Sequence, residues 1–172
     1  MNSSHLLKIS VHTIIILSMQ ILLLLNFSFP IGDRYSLSIY LYPLIIILTP
    51  LAVSKSLILI VAFIIGLFID YFYQSFGVHS ASLVFVAFIR PYVLNIIEPR
   101  GGYRADNLPT TQYYGFGWFL SYSAILLFVH LLVYFSLDAF SMVYIEKILV
   151  NTLLSFVASF LILNMYQIIS RQ

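Results

Sequence analysis

The sequence contains no cysteine, which excludes disulfides, thiolate nucleophiles, iron–sulfur clusters and zinc–thiolate sites. It has little charge. Asp, Glu, Lys and Arg make up 8% of its 172 residues, against about 25% in an ordinary soluble domain. The eight Lys and Arg are scattered and form no basic stripe, so nucleic acid is not an expected partner. Nucleophile motifs are missing: there is no G-x-S-x-G, and no pair of aspartates at mid-membrane depth. Gly101-Gly102 lacks the lysine–serine pattern of a phosphate-binding loop. No cofactor is implied. Alternating ten-residue segments, the mark of a membrane barrel, are also absent. What the chain has in quantity is apolar surface: 62% hydrophobic residues, 17% aromatic, mean hydropathy +1.03. A soluble domain of this length cannot hide so much, because small domains leave a large share of their surface wet. The same composition excludes disorder. The expected class is an all-α integral membrane protein, a single transmembrane domain over residues 1–172.

Six apolar runs are long enough to read as crossings, about 20 residues each. They cover residues 9–29, 37–52, 57–73, 78–97, 116–137 and 142–169. The first resembles a signal peptide's core, but it is too long, and Asn26-Phe27-Ser28-Phe29-Pro30 offers no cleavage site. Pro30, Gly32 and Asp33 are expected to end it. The second run carries Pro43 and Pro50 and is expected as a short, kinked helix whose backbone gap neighbours must cover. The connection at residues 98–115 is the longest and reads as a cytoplasmic docking surface, not a reaction site.

Basic residues set the orientation. With the N-terminus inside, the inner side holds Lys8, Lys55, Arg100, Arg104 and Arg171, with Arg90 nearest that side; the outer side holds only Arg34 and Lys147. Asp33, Asp70, Asp138 and Glu146 lie outward, Glu98 and Asp106 inward. N-in, C-in follows, and the tyrosines fall into two interfacial belts consistent with it.

Polar residues within apolar runs are the places to look for function. Asp70 ends the third run and His79 opens the fourth, joined by Gln74-Ser75-Phe76-Gly77. The reading is a lock on this hairpin, with a histidine ring nitrogen donating to the carboxylate. The alternatives are an acid–base pair or a metal site, although one histidine and one carboxylate are too few ligands for zinc. Gly66 shares the face of Asp70 and admits a close neighbour. Arg90 stands too deep to pair with Asp70. It reads as snorkelling while donating to the Ala87 carbonyl that Pro91 frees; the alternative is an anchor for a partner subunit or a lipid phosphate. His130 reads as a neutral, hydrogen-bonded packing residue, not a ligand. Asn151, Ser155, Ala158 and Ser159 form a small, weakly polar stripe that reads as a helix–helix seam.

Between Pro50 and Pro99 the chain resembles the bacterial rod shape-determining protein MreD family. The resemblance is carried by the Pro50 breaker, by Gly66-Leu67-Phe68-Ile69-Asp70 (G-L-x-x-D), by Gly77-Val78-His79 (G-x-H) and by Arg90-Pro91-Tyr92 (R-P-Y). It implies a non-enzymatic component of the cell-elongation machinery in the bacterial inner membrane. It also implies pairing with the transmembrane helix of MreC, and through it a link from MreB filaments to RodA and the class B transpeptidase. The fold implied is a six-helix bundle like the substrate-binding subunits of energy-coupling-factor transporters, which keeps a small-molecule-binding subunit as the alternative. That alternative needs an outward cavity with convergent polar groups. Its candidates are Asp70, His79 and Asp138-Ala139-Phe140-Ser141.

Overall fold

The structure, a computed structural model, describes residues 3–25, 27–104 and 107–170. From the N-terminus the chain forms helix α1 (Ser3–Ser18), which continues as a π-helical stretch, Met19–Leu24. A hairpin follows, β1 (Ser28–Ile31) paired antiparallel with β2 (Tyr35–Ser38). Then come α2 (Pro43–Ile47), α3 (Lys55–Tyr73), α4 (Val78–Ile96), α5 (Thr111–Tyr114), α6 (Phe116–Ala139) and α7 (Ile145–Ser170). Of the charges used for orientation, Asp106, Arg171 and the side chain of Lys8 lie outside the described residues, as does Asn26.

Among the described residues, four helices are long and apolar enough to cross a membrane: α3, α4, α6 and α7. Their ends fall within three residues of the expected ones. Local chemistry explains the boundaries. The Ser54 hydroxyl accepts from the Leu57 N–H at the start of α3. Gln74, in the left-handed region at φ 52°, closes its end by donating to the Asp70 carbonyl. Gly77, at φ 82°, then turns the chain into α4. The helices pack in sequence, α3 on α4, α4 on α6 and α6 on α7.

The first two runs differ from expectation. The helix expected over 9–29 ends at Leu24, and Pro30, expected as its breaker, lies within the exposed strand β1. Proline suits an edge strand, where its missing N–H breaks no ladder. Ser10–Leu24 is an apolar helical stretch shorter than the four spanning helices. The second run is not a kinked helix. It is an extended strand followed by a five-residue helix. Proline is favoured in the first turn of a helix and costly inside one, so a helix that starts at Pro43 and stops ahead of Pro50 stays short. The fold is therefore mostly helical but not all-α.

Residues 40–48 are all buried. This segment runs through the middle of the molecule, with β2 against α7 and α2 against α4 and α6. The core forms around it.

Candidate functional site

An extended segment inside an apolar bundle has backbone N–H groups that no helix of its own satisfies. Each unmet group in lipid costs several kcal/mol. Here α7 supplies the acceptors. Ser36 N–H donates to Asn151 Oδ1 at 3.0 Å, Ser38 N–H to Ser155 Oγ at 3.0 Å, and Tyr40 N–H to Ser159 Oγ at 2.9 Å. The spacing works because four helical residues rise about 6 Å and two strand residues about 6.6–6.8 Å. The polar stripe expected as a helix–helix seam is thus a helix–strand seam, in which side chains of α7 stand in for a neighbouring strand. Ser155→Ala leaves the Ser38 N–H without its acceptor. It should cost about 1–3 kcal/mol, seen as a lower midpoint of thermal unfolding in detergent.

Gln20 continues the same function at the next turn. The π-helical stretch carries its side chain into the core, where it is fully buried. Its Oε1 accepts from Leu41 N–H at 2.6 Å and Tyr42 N–H at 3.3 Å. Its Nε2 donates to the Ile39 carbonyl at 3.2 Å and to the Tyr73 hydroxyl at 2.6 Å. π-Turns often mark functional positions; this one places an amide where a peptide group would otherwise be needed.

At the α3–α4 hairpin, Asp70 is 4% exposed. Its Oδ1 accepts from the backbone N–H of His79 at 2.9 Å and from Ser75 Oγ at 2.5 Å. Its Oδ2 accepts from Ser80 N–H at 3.0 Å and Ser80 Oγ at 2.7 Å. The expected partners are therefore right in residue and wrong in atom: Asp70 binds the main chain of His79, not its ring. The N-terminal turn of a helix has unpaired N–H groups and a positive dipole end, and Gly77 has no side chain to cap it. A carboxylate from α3 caps α4 instead. Gly66 lies against Ser80, close enough that a Cβ there would stand 2.2 Å from the Ser80 Cα.

The His79 ring turns the other way. Its Nδ1 is 2.8 Å from the Tyr42 hydroxyl, which is also 2.8 Å from His130 Nε2. All three side chains are fully buried. The rings of Tyr40, Tyr73 and Tyr134 lie 5.8, 4.6 and 4.8 Å from that of His79. His130 is thus half of a buried pair joined through one phenol.

Arg90 is 2% exposed and does not snorkel. Its Nε donates to the Tyr122 hydroxyl at 2.7 Å and its Nη2 to the carbonyl of Thr49, not to the Ala87 carbonyl. Tyr122 in turn donates to the Ile47 carbonyl at 3.1 Å. A cation beside the C-terminal carbonyls of α2 is well placed, since that end carries the negative dipole. Arg90 therefore fixes the far end of the segment whose near end α7 holds. Pro91 is accommodated within α4, which runs on to Ile96.

The 98–115 connection is tied down by aromatic residues. Trp118 Nε1 donates to the Ile97 carbonyl at 2.9 Å and the Tyr103 hydroxyl to the Leu94 carbonyl at 2.9 Å. Burial pushes the Tyr103 phenol up to about 12, so it stays neutral and a donor at physiological pH. Trp118 stacks on Tyr122, with centroids 5.0 Å apart, which joins this connection to Arg90.

At the opposite end, two adjoining clefts share Tyr144 and Lys147. One, of about 220 Å³, adds Phe135, Asp138, Ala139, Ile148 and Asn151. The other, of about 350 Å³, adds Asp33, Arg34, Tyr35, Val143 and Glu146. Tyr35 donates to Glu146 Oε1 at 2.7 Å, which raises the phenol's pKa. Of the candidates for an outward cavity, Asp138 and Ala139 line the smaller cleft. Asp70 and His79 do not line either, because they are committed to the hairpin and the core.

Tyr42, Gln20, Tyr122 and the pairing of His130 were not legible in the sequence. The one available signal was the period-two order Ser36-x-Ser38-x-Tyr40 ahead of Pro43, which favours a strand over a helix.

No family model, curated protein or solved structure matches this chain.

Proposed function

We propose that the chain is a non-enzymatic membrane scaffold of the bacterial cell-elongation machinery. It binds the transmembrane helix of MreC in the inner membrane and so helps couple MreB filaments to RodA and the class B transpeptidase. The observation that carries this reading is where the MreD-like motif residues spend their bonding capacity. Gly66, Asp70 and Gly77 close the α3–α4 hairpin, and Arg90 holds the buried segment. They shape one bundle. Its outer faces are left apolar: Ile60, Phe63, Ile64, Leu67 and Tyr71 of α3 are all exposed, and α3 leans chiefly on α4. In lipid, helices associate through such packing surfaces and a few hydrogen bonds. In this reading α1 and the buried segment are two further crossings, giving six passes with both termini inside.

Photo-crosslinkers placed at lipid-facing positions of each long helix in native membranes test it. MreC crosslinks confined to one face are expected. Their absence from every face sinks the proposal.

A second reading, a small-molecule-binding subunit, has one observation in its favour, the adjoining clefts around Tyr144 and Lys147. A metabolite that co-purifies and is lost on Lys147→Ala would move the assignment there.

A further inference from the structure

The His79–Tyr42–His130 chain ends in two idle atoms. His79 Nε2 and His130 Nδ1 are buried and have no hydrogen-bond partner. They are the far nitrogens of the two rings whose near nitrogens meet the Tyr42 hydroxyl, each at 2.8 Å. Buried polar groups are almost always paired, and the exceptions call for an explanation. A core histidine kept only for packing gains nothing from a second nitrogen left unmet at each end of the same chain.

A phenol has one proton to donate and lone pairs to accept. Between two neutral imidazoles it donates to one and accepts from the other, so the chain has two directions. In the first, His79 Nδ1–H donates to Tyr42, Tyr42 donates to His130 Nε2, His130 carries its proton on Nδ1, and His79 Nε2 is bare. In the second, every proton has moved one place. Within the chain itself each direction leaves one ring N–H and one bare ring nitrogen without a partner, and the Ser82 main chain lies beside His130.

We infer that Tyr42 is the middle member of a proton relay that takes up a proton at one idle ring nitrogen and releases one from the other. The step balances without an oxidant or reductant. A hydrated proton adds to His79 Nε2; His79 Nδ1–H passes to the Tyr42 oxygen as the Tyr42 proton passes to His130 Nε2; His130 then loses its Nδ1 proton to water. Both rings end as the opposite neutral tautomer. Transfer in the reverse sense, or rotation of both rings, restores the first state. His79 stands in the first turn of α4, at the end of the bundle, whereas His130 is nine residues short of the end of α6. The relay therefore links the first turn of α4 to the interior of α6.

The groups facing it come from four elements. Tyr40 belongs to the buried segment, Tyr73 and Asp70 to α3, Ser82 to α4 and Tyr134 to α6, while His79 and His130 face each other across Tyr42. The Asp70 carboxylate accepts from the His79 main chain on the same turn. This inference is independent of the scaffold reading.

The full chain, ¹⁵N-labelled at histidine and reconstituted in bilayers, tests it by solid-state NMR. Both tautomers of His79 and of His130 are expected, with their populations moving together. Deuterium uptake at His130 from D₂O should fall at least tenfold in Tyr42→Phe, which keeps the ring and removes the shuttling proton. One fixed tautomer at both rings of the unaltered protein overturns the relay and leaves a static pin. So does unchanged uptake in a folded Tyr42→Phe. If that variant does not fold, the tautomers of the unaltered protein decide alone.

Discussion

Asp70→Ala should be among the most damaging single substitutions in this protein, although it removes only three heavy atoms. The carboxylate accepts four hydrogen bonds, and these are not equally replaceable. Ser80 Oγ also reaches the Gly77 carbonyl at 3.0 Å, so its hydroxyl keeps a partner. Ser75 lies in the turn and can turn to water. The main-chain N–H groups of His79 and Ser80 have no such recourse. They open α4, where no preceding turn offers a carbonyl, and the side chains of both residues are buried. Stranding a buried donor costs about 1–3 kcal/mol, so two cost about 2–6 kcal/mol. Asp70→Asn keeps one oxygen to accept but puts an NH₂ where two donors converge, and should lose about half as much. Thermal unfolding in detergent reads the order as unaltered protein, then Asn, then Ala. An Ala variant as stable as the parent removes Asp70 from the cap.

Asp70 was findable because its partners are near in sequence. Nine and ten residues separate it from the N–H groups it accepts, and a short turn between two apolar runs brings them together. The four long helices were legible for a similar reason: their apolar runs are unbroken, or broken only by a proline that α4 absorbs. The buried segment was hidden because what stabilises it is remote. Ser36, Ser38 and Tyr40 find their acceptors 115 to 119 residues away. Without α7 and Gln20, an apolar run with two prolines is most simply read as a kinked helix. His130 shows the same limit. Alone in an apolar helix it has no local signature, and its meaning arrives with Tyr42, 88 residues earlier. Arg90 lay between the two cases. Its need for a carbonyl followed from a charge in lipid, but which carbonyl depended on the position of α2.

Gly66→Ala sets two known effects against each other, and their sizes decide the result. On an isolated helix the change is favourable, by about 1 kcal/mol, because glycine is a poor helix former. Here the added Cβ would lie 2.2 Å from Ser80 Cα, 2.7 Å from Ser80 Cβ and 2.8 Å from Ser80 N. None of these is the tip of a flexible chain, so only movement of α4 as a body relieves the clash. Ordinary contact begins near 3.4 Å, and opening the crossing by that difference draws Ser80 N–H away from Asp70 Oδ2, now at 3.0 Å. Overpacking of this kind costs about 1–3 kcal/mol and sometimes more, which outweighs the gain in propensity. With contacts this short the overpacking cost lies at the upper end of that range, so a net loss of about 2 kcal/mol is expected for Ala, and little folded protein should accumulate for Gly66→Leu. The shared partner supplies a sharper test. Because the opened crossing has already weakened the cap, Asp70→Ala should cost less in the Gly66→Ala background than in the parent, a coupling of about 0.5–3 kcal/mol in a double-mutant cycle. Strict additivity of the two losses means that Gly66 and Asp70 act on different structures, and the close crossing is not what holds Ser80 against the carboxylate.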